Sequence, residues 1–382
     1  MKILITTDLF TVKTNGVVTS VQNLYDELVK DGHEVRILTL SERSKSYKIG
    51  TVYYIRSVSL GAVYPDVRMP TSYRHKLLKE LIIWKPDVIH SQCEFFTFQY
   101  ALRISKCTGA PIVHTYHTLY EQYFSYLVPI KSLGKRAIST FSRHRLKKVE
   151  RVIAPTKKVE GVLREYGLHN PITVIPSGIN LDKYRTPVDK ERLLQIRRSM
   201  GIRDDQFVIM NLGRLGTEKN LDELIRYFAG VSKNDDRLVF MIAGGGPAKA
   251  QLEALAGELG IRHKVLFTGM VAPSHVQCYY QIGDLFVSAS TSETQGLTFI
   301  EAAANGLPLL CREDPCLQDV LIPGENGYTY CNEQQFAQRL AMIIDDPQWR
   351  EDAGKRSRQI AHSFDKHTFG HSVEMLYDTV VE

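Results

Sequence analysis

Two carboxylates, Glu293 and Glu301, flank the small polar turn Gln295-Gly296-Leu297-Thr298 in the segment Ser290-Thr-Ser-Glu-Thr-Gln-Gly-Leu-Thr-Phe-Ile-Glu301. The apolar run Asp284-Leu-Phe-Val-Ser-Ala289 before them reads as a buried strand. Phe299 to Leu307 reads as a helix that stops near Gly306 and Pro308. A strand, a glycine turn and a helix start aim unpaired first-turn amides, at the positive end of the helix dipole, at one point, and such a point attracts phosphate. Carboxylates repel phosphate, so Glu293 and Glu301 suit hydroxyl groups instead. Phosphate flanked by hydroxylated groups describes a sugar nucleotide.

Arg214 and Lys219 lie in Gly213-Arg-Leu-Gly-Thr-Glu-Lys-Asn220, directly after the strand-like Phe207–Leu212. Two cations at a strand's carboxyl end can clamp a diphosphate, each charge-assisted bond contributing roughly 1.5–3 kcal/mol. A solvated basic loop is the plainer reading of that segment alone; the second anion-attracting turn favours the clamp. Gly244, Gly245 and Gly246 follow the strand Leu238–Ala243 and can admit a flat group such as a base against backbone, or make a plain turn. Gly269-Met270-Val271, after the strand at Lys264–Phe267, reads the same way. Gly16 follows the first strand and lets a ligand approach backbone, or serves only the turn. His114-Thr-Tyr-His117 closes the strand beginning at Ile112. Of its two histidines, His117 is nearer the loop and is expected to face the crevice, where a near-neutral imidazole donates or accepts a hydrogen bond.

Positioning these residues takes an alternation of strands and helices. Lys2–Thr6, Glu34–Leu40, Thr51–Ile55, Asp87–Ser91, Ile112–Tyr116 and Arg151–Ala154 are short β-rich runs, with amphipathic stretches such as Val18–Lys30 and Tyr73–Trp84 between them. The alternation resumes at Phe207 and runs through Leu309–Cys311, with helices expected at Asp222–Lys233, Ala248–Leu259 and His275–Ile282. Two doubly wound α/β domains follow, in keeping with a length of 382 residues. The expected division is 1–175 and 176–364, near the Pro171–Asp182 interruption. A polar segment, Thr186–Asp205, leads into the second domain. Gln348 to Glu382 reads as a helical tail whose last part, about 365–382, returns to the first domain.

Composition narrows the function. The net charge of +6, with 43% hydrophobic and 24% charged residues, is that of a globular protein whose partner can be a phosphate or an anionic surface. No apolar run is long enough to span a bilayer. Six scattered cysteines without a C-x-x-C pair read as reduced thiols. No D-x-D, H-E-x-x-H or cysteine–histidine cluster marks a metal site, and amides with Arg214 and Lys219 can stabilise a leaving diphosphate in its place. Glycoside hydrolysis would need carboxylates facing each other across one bond; beside an anion-binding turn, Glu293 and Glu301 do not fit that role. A nicotinamide cofactor would leave a G-x-G-x-x-G fingerprint, which is missing. The basic residues carry no RNA-binding signature.

The Glu293-x7-Glu301 spacing, Gly213-Arg214…Lys219-Asn220, Ile175-Pro-Ser-Gly-Ile-Asn180, Ala243-Gly-Gly-Gly-Pro247 and the early Gly16 together resemble the retaining glycosyltransferases of family 4, with the GT-B fold, two Rossmann-like domains facing across a cleft. The resemblance implies a metal-independent enzyme without a cofactor, using a nucleotide sugar as co-substrate. It places Glu293 on the donor sugar, Glu301 on the ribose, and Gln295, Gly296, Leu297 and Thr298 on the diphosphate and sugar. It also places Arg214 and Lys219 on the phosphates, Gly16, Gly245 and Val271 among the donor-binding residues, and His117 near the sugar's 6-position. A front-face displacement, with the leaving phosphate taking the acceptor's proton, is what the family implies.

A narrower likeness, to bacterial diacylglycerol glucosyltransferases, rests on Ser292-Glu-Thr-Gln-Gly-Leu-Thr298, His114-Thr-Tyr-His-Thr118 with the tyrosine-rich Tyr120–Tyr126, and His90-Ser-Gln-Cys-Glu-Phe95. The loop Phe10-Thr-Val-Lys-Thr-Asn-Gly16 lacks a proline often found there, and Arg312-Glu-Asp-Pro315 also departs. This likeness implies transfer of glucose from UDP-glucose to a lipid hydroxyl on the inner face of the cell membrane. The alternative is a soluble or polymeric cell-surface sugar acceptor. Between Ile130 and Arg151 eight basic residues face one acid, Glu150. Ile130, Leu133, Ala137 and Phe141 recur at helical spacing, so an apolar and a basic face separate, as on a helix lying on an anionic leaflet. An ordinary helix packed on the sheet fits the same pattern.

Overall fold

The computed structural model describes residues 1–10, 15–60, 67–119, 131–184 and 186–381, with no account of the side chains at 131–133. The loop at 11–14 and the aromatic cluster at 120–126 lie outside the described residues.

Met1–Ile179 together with Lys366–Glu382 form one compact unit, and Asn180–Asp365 a second. The division stands at 179/180 rather than at the expected 175/176.

The first unit is built on β1 (Lys2–Thr6), β2 (Glu34–Ser41), β3 (Tyr47–Ile49), β4 (Val52–Ser59), β5 (Arg68–Pro70), β6 (Val88–Ser91), β7 (Ile112–Thr115), β8 (Arg151–Ala154) and β9 (Ile172–Val174). Their order is β3-β4-β2-β1-β6-β7-β8-β9, with β5 on β4. Pairings are parallel except those of β3 and β5 with β4. The central strands are apolar on both faces because helices cover both. These are α1 (Gly16–Lys30), α2 (Lys76–Trp84), α3 (Phe96–Thr108), α4 (Lys131–Leu146) and α5 (Lys157–Glu165). The Asn15 side chain accepts from Val18 N at 2.8 Å and starts α1. Thr156 starts α5 in the same way, and Gly109, left-handed at φ 81°, ends α3.

The second unit carries a six-stranded, all-parallel sheet of β10 (Phe207–Leu212), β11 (Leu238–Ala243), β12 (Val265–Gly269), β13 (Leu285–Ser288), β14 (Leu309–Arg312) and β15 (Gly327–Tyr330), in the order β12-β11-β10-β13-β14-β15. Its helices are α6 (Lys190–Ser199), α7 (Leu221–Ser232), α8 (Lys249–Glu258), α9 (Val276–Ile282), α10 (Leu297–Ala304), α11 (Glu333–Asp345) and α12 (Pro347–Ala361). The chain winds outward from β10 to β12, then returns to place β13 on the other side of β10. That reversal opens a crevice at the carboxyl ends of β10 and β13. The β1/β6 pair of the first unit is the corresponding reversal.

Four short strands were not expected: β3, β5, β9 and β15. Three or four residues are too few to show an alternation of period two. The polar segment 186–205 contains α6, none of whose residues is buried, so no apolar face marks it. The expected single tail from Gln348 to Glu382 is two helices. α12 ends at Ala361, a short 3-10 turn and extended Asp365 follow, and α13 (Lys366–Val381) belongs to the first unit. Phe369, Val373, Leu376 and Tyr377 of α13 share a core with Val21, Leu24 and Leu28 of α1. Buried Glu27 pairs there with Lys366 at 3.1 Å and with His367. All six cysteines are free thiols.

Candidate active site

In the second unit the loop after β10 and the loop after β13 meet at the reversal. Lys219 Nζ lies 2.6 Å from Glu293 Oε1. The same oxygen accepts from Ser290 Oγ at 2.7 Å, and Ser290 Oγ is 3.0 Å from Ser292 Oγ. Arg214 donates to Glu218 Oε1 at 2.5 Å, and that carboxylate is almost wholly buried. The sequence assigned the cations to phosphate and the carboxylates to hydroxyls; the structure joins Lys219 to Glu293 directly. An ammonium has three protons, so Lys219 can hold Glu293 and still meet an anion. Asn220, left-handed at φ 50°, donates from Nδ2 to Ala289 O at 3.1 Å and ties the two loops together. A non-glycine residue in that region marks a backbone that its surroundings over-determine.

Of the three glycines after β11, expected to admit a flat group or to make a plain turn, Gly244 and Gly246 stand against backbone. A Cβ at Gly244 would stand 1.8 Å from Gly213 O, and one at Gly246 2.4 Å from Leu215 O. Gly213 N donates to Ala243 O, Leu215 N to Gly245 O and Ala248 N to Leu215 O, at 2.9–3.0 Å. The glycines thus let the Arg214 loop lie flat on the turn after β11. At Gly245 the Met270 side chain is the near neighbour, and Met270 is 80% exposed. Val271, half-buried, follows it. Gly296 begins α10 at φ 76°, and a Cβ there would strike the Phe299 ring. Gln295 is buried; Leu297 and Thr298 are half-buried in the first turn, where Phe299 N already donates to Gly296 O at 3.0 Å.

Glu301 sits one turn further along α10. Its Oε2 accepts from Tyr280 Oη at 2.9 Å, and the same phenol is 3.3 Å from Thr298 O. Burial pushes the Glu301 carboxyl up to about 6, while the Tyr280 bond and Lys183 pull it down. Burial raises the phenols of Tyr184 and Tyr280, and the neighbouring Glu301 carboxylate adds a smaller push in the same direction. Tyr280, Tyr184, Lys183, Ser290 and Glu218 were missed in the sequence. Tyr280 and Glu301 belong to different helices, and no spacing rule links them.

In the first unit the carboxyl ends of β1, β6 and β7 gather Asp8, Gln92, Cys93, Glu94, His114 and His117. Asp8 accepts from Phe96 N at 3.1 Å and from Thr97 N at 2.7 Å, holding the start of α3. Its burial, with Glu94 near, raises its carboxyl above the usual range. Burial and Asp8 push the Cys93 thiol well up. His114 is fully buried on Glu94 at 3.1 Å. His117, just past the strand's end and half-buried, meets Gln92 Oε1 through Nε2 at 2.6 Å. Burial and His114 push the His117 imidazole down to about 3, so it is neutral at physiological pH. Gly16 is the exposed first residue of α1.

The basic helix is rotated from its expected setting. Gly134, Ile138, Ser142 and Leu146 of α4 are buried, Phe141 is half-buried, and Ala137 is exposed. Burial at i, i+4, i+8 and i+12 follows the helix's own row of neighbours, and a glycine and a serine, silent in an apolar count, occupy two of those positions. Lys135, Arg136, Arg143, His144, Lys147 and Lys148 are exposed. The positive charges of Lys148 and Lys147 hold the His144 imidazole below its ordinary value. Arg145 turns inward over the Phe98 and Phe141 rings.

Two α/β units, each with a parallel sheet and a crevice at its point of reversal, and an acidic–basic pair at the second, define a glycosyltransferase of GT-B architecture. HepE of Anabaena, solved with UDP-glucose, matches 99% of this chain and all of its own at a TM-score of 0.76 and 18% identity. WaaG, a glycosyltransferase involved in lipopolysaccharide biosynthesis, matches 99% of both chains at 0.72 and 17%. Residues 14–183 match the Glycosyltransferase Family 4 model and 194–360 the Glycosyl transferases group 1 model. The alpha-monoglucosyldiacylglycerol synthase of Streptococcus pneumoniae is 34% identical over 92% of this chain and 80% of its own length. Its namesake in Acholeplasma laidlawii is 29% identical over 96% and 94%. The chain belongs to the family 4 glycosyltransferases and is a hexosyltransferase.

Proposed function

We propose that this enzyme transfers glucose from UDP-glucose to the free hydroxyl of diacylglycerol, with retention at the anomeric carbon and without a metal ion. The observation that carries the reading is the Lys219–Glu293 pair set beside the Gly296-led start of α10. It puts a cation, first-turn amides and a hydroxyl-accepting carboxylate at one crevice, the donor set a sugar diphosphate needs. Likeness to two alpha-monoglucosyldiacylglycerol synthases supports glucose and a lipid acceptor.

In this reading Lys219, Arg214 and the amides at 296–298 take the diphosphate, Glu293 the hexose hydroxyls and Glu301 the ribose. The acceptor oxygen bonds to the anomeric carbon on the face the diphosphate leaves. The bond from that carbon to the phosphate oxygen breaks, and a phosphate oxygen takes the acceptor's proton. UDP and the glycolipid are the products. No side chain acts as the base. Charge developing on the diphosphate meets preorganised donors. Among the described residues no three His, Cys, Asp or Glu side chains group as a metal site would need, and the two cations supply the positive charge in the metal-free reading.

The exposed basic face of α4 supports peripheral attachment to an anionic inner leaflet; among the described residues no helix is long and apolar enough to cross a membrane. The test is transfer to diacylglycerol in anionic vesicles, with the product's mass and anomeric configuration measured and chelator added. An α-glucosyl lipid formed equally well with chelator is expected. Transfer to a soluble sugar alone, or loss on chelation, overturns the acceptor or the metal-free reading respectively.

A further inference from the structure

We propose that Tyr280 is the positioning residue that presents Glu301 to the ribose of the nucleotide. This rests on the donor-site reading above and extends it to a residue on another helix. Tyr280 is completely buried on α9, and its ring packs against Phe286 of β13 with centroids 6.1 Å apart. Packing fixes the ring, so the hydroxyl has one place to be, between Glu301 Oε2 and Thr298 O. A phenol has a single proton to give. With Glu301 ionised, that proton goes to the carboxylate in the stronger, charge-assisted bond. With Glu301 protonated, the carbonyl of Thr298 is the better acceptor. Thr298 lies in the anion-binding turn, so the phenol links the ribose side of the donor site to its diphosphate side.

Among the described residues, three groups on two elements face Glu301. Tyr280 comes from α9, and Lys183 and Tyr184 from the 3-10 turn Leu181–Tyr184. Lys183 and the Tyr280 bond favour the ionised carboxylate; burial opposes them. Removing the Tyr280 hydroxyl takes away the larger of the two favourable contributions. Glu301 then ionises at higher pH, and its unsupported carboxylate accepts ribose hydroxyls less well.

The probe is UDP, which carries the ribose and diphosphate but no hexose, so the result is independent of which sugar or acceptor the enzyme uses. Calorimetric affinity of the full-length wild type, Tyr280→Phe and Glu301→Gln is measured from about pH 5 to 9. In the wild type, affinity is expected to fall as pH drops through about 6. Tyr280→Phe is expected to bind UDP roughly tenfold more weakly at neutral pH, with the acid limb moved to higher pH. The terminal phosphate of UDP titrates at about 6 as well, so Glu301→Gln is expected to keep only the phosphate's share of the limb, and the Glu301 share is read as the difference between the two profiles. In turnover with UDP-glucose, Tyr280→Phe raises the donor KM and leaves kcat within about twofold. If Glu301→Gln weakens UDP and makes the limb shallower than in the wild type while Tyr280→Phe matches wild type in both, the positioning role is overturned and the donor-site reading stands. If Glu301→Gln also matches wild type, the ribose assignment itself falls. Should the phenylalanine variant melt early, a difluorotyrosine at 280 preserves the packing. As a stronger donor it must move the limb to lower pH; an unmoved limb overturns the proposal.

Discussion

Glu293 and Lys219 hold each other in place, and each is more than three-quarters buried. Removing one leaves the other charged and without its partner in the pair, which costs more than the pair contributes. Glu293→Gln is expected to keep the Ser290 contact, to lower kcat by about two to three orders of magnitude, and to lower the melting temperature because Lys219 loses its counter-charge. Lys219→Ala is expected to lower both turnover and stability, read by initial rates and thermal melts. Near-normal transfer by either variant would remove these residues from the site. Glu301 and His117 lie on opposite sides of the same pH argument. Burial moves the carboxyl up to about 6 and the imidazole down to about 3. Donor affinity is therefore present above the Glu301 value and lost as pH falls through it, whereas His117 stays neutral and contributes no limb near neutrality. Stability runs the other way. With its folded value raised, Glu301 contributes stability that is fully present in acid and lost as pH rises through about 6. Glu301→Gln should accordingly melt higher than wild type at pH values well above that.

Two turns decide whether the donor-site residues stand where they do. In the turn after β11, Gly244 and Gly246 leave room for the loop carrying Arg214, which lies directly on them. Gly246→Ala is expected to push Leu215 away, destabilise the protein by about 1–3 kcal/mol, and raise the donor KM through displaced Arg214. Thermal melts and donor saturation curves read both effects; an unchanged KM would separate this turn from the site. In α10, Gly296 supplies a backbone conformation that side chains avoid, and the helix starts without a side-chain cap. The missing cap leaves the first amides to whatever anion arrives.

At the scale of the whole molecule, charge is uneven. The net excess of six positive charges includes a basic face on α4 where one imidazole is already held down by its neighbours. Lys147→Gln combined with Lys148→Gln removes two charges from that face and touches no residue of either crevice. At about 1 kcal/mol per charge, binding to anionic vesicles should weaken roughly thirtyfold. Hydrolysis or transfer measured with donor in detergent should not change. Co-sedimentation that ignores both lysines would place membrane contact elsewhere.

The alternation of strands and helices, the central strands nearly to the residue and the Glu293–Glu301 turn were legible in the sequence. Each depends on neighbours a few positions apart, and backbone geometry converts such spacings into faces and turns. The family was legible for the same reason, as an ordered set of short motifs. What only the tertiary structure decided were contacts between distant segments: Lys219 on Glu293, Tyr280 on Glu301, Gln92 on His117, and the glycines that receive the Arg214 loop. α4 shows the boundary between the two. Its helical period is written in the chain, but which side it buries depends on the sheet beneath, where Gly134 and Ser142 fit and Ala137 does not. Side-chain partners are chosen by packing in three dimensions, and a one-dimensional pattern carries no term for it.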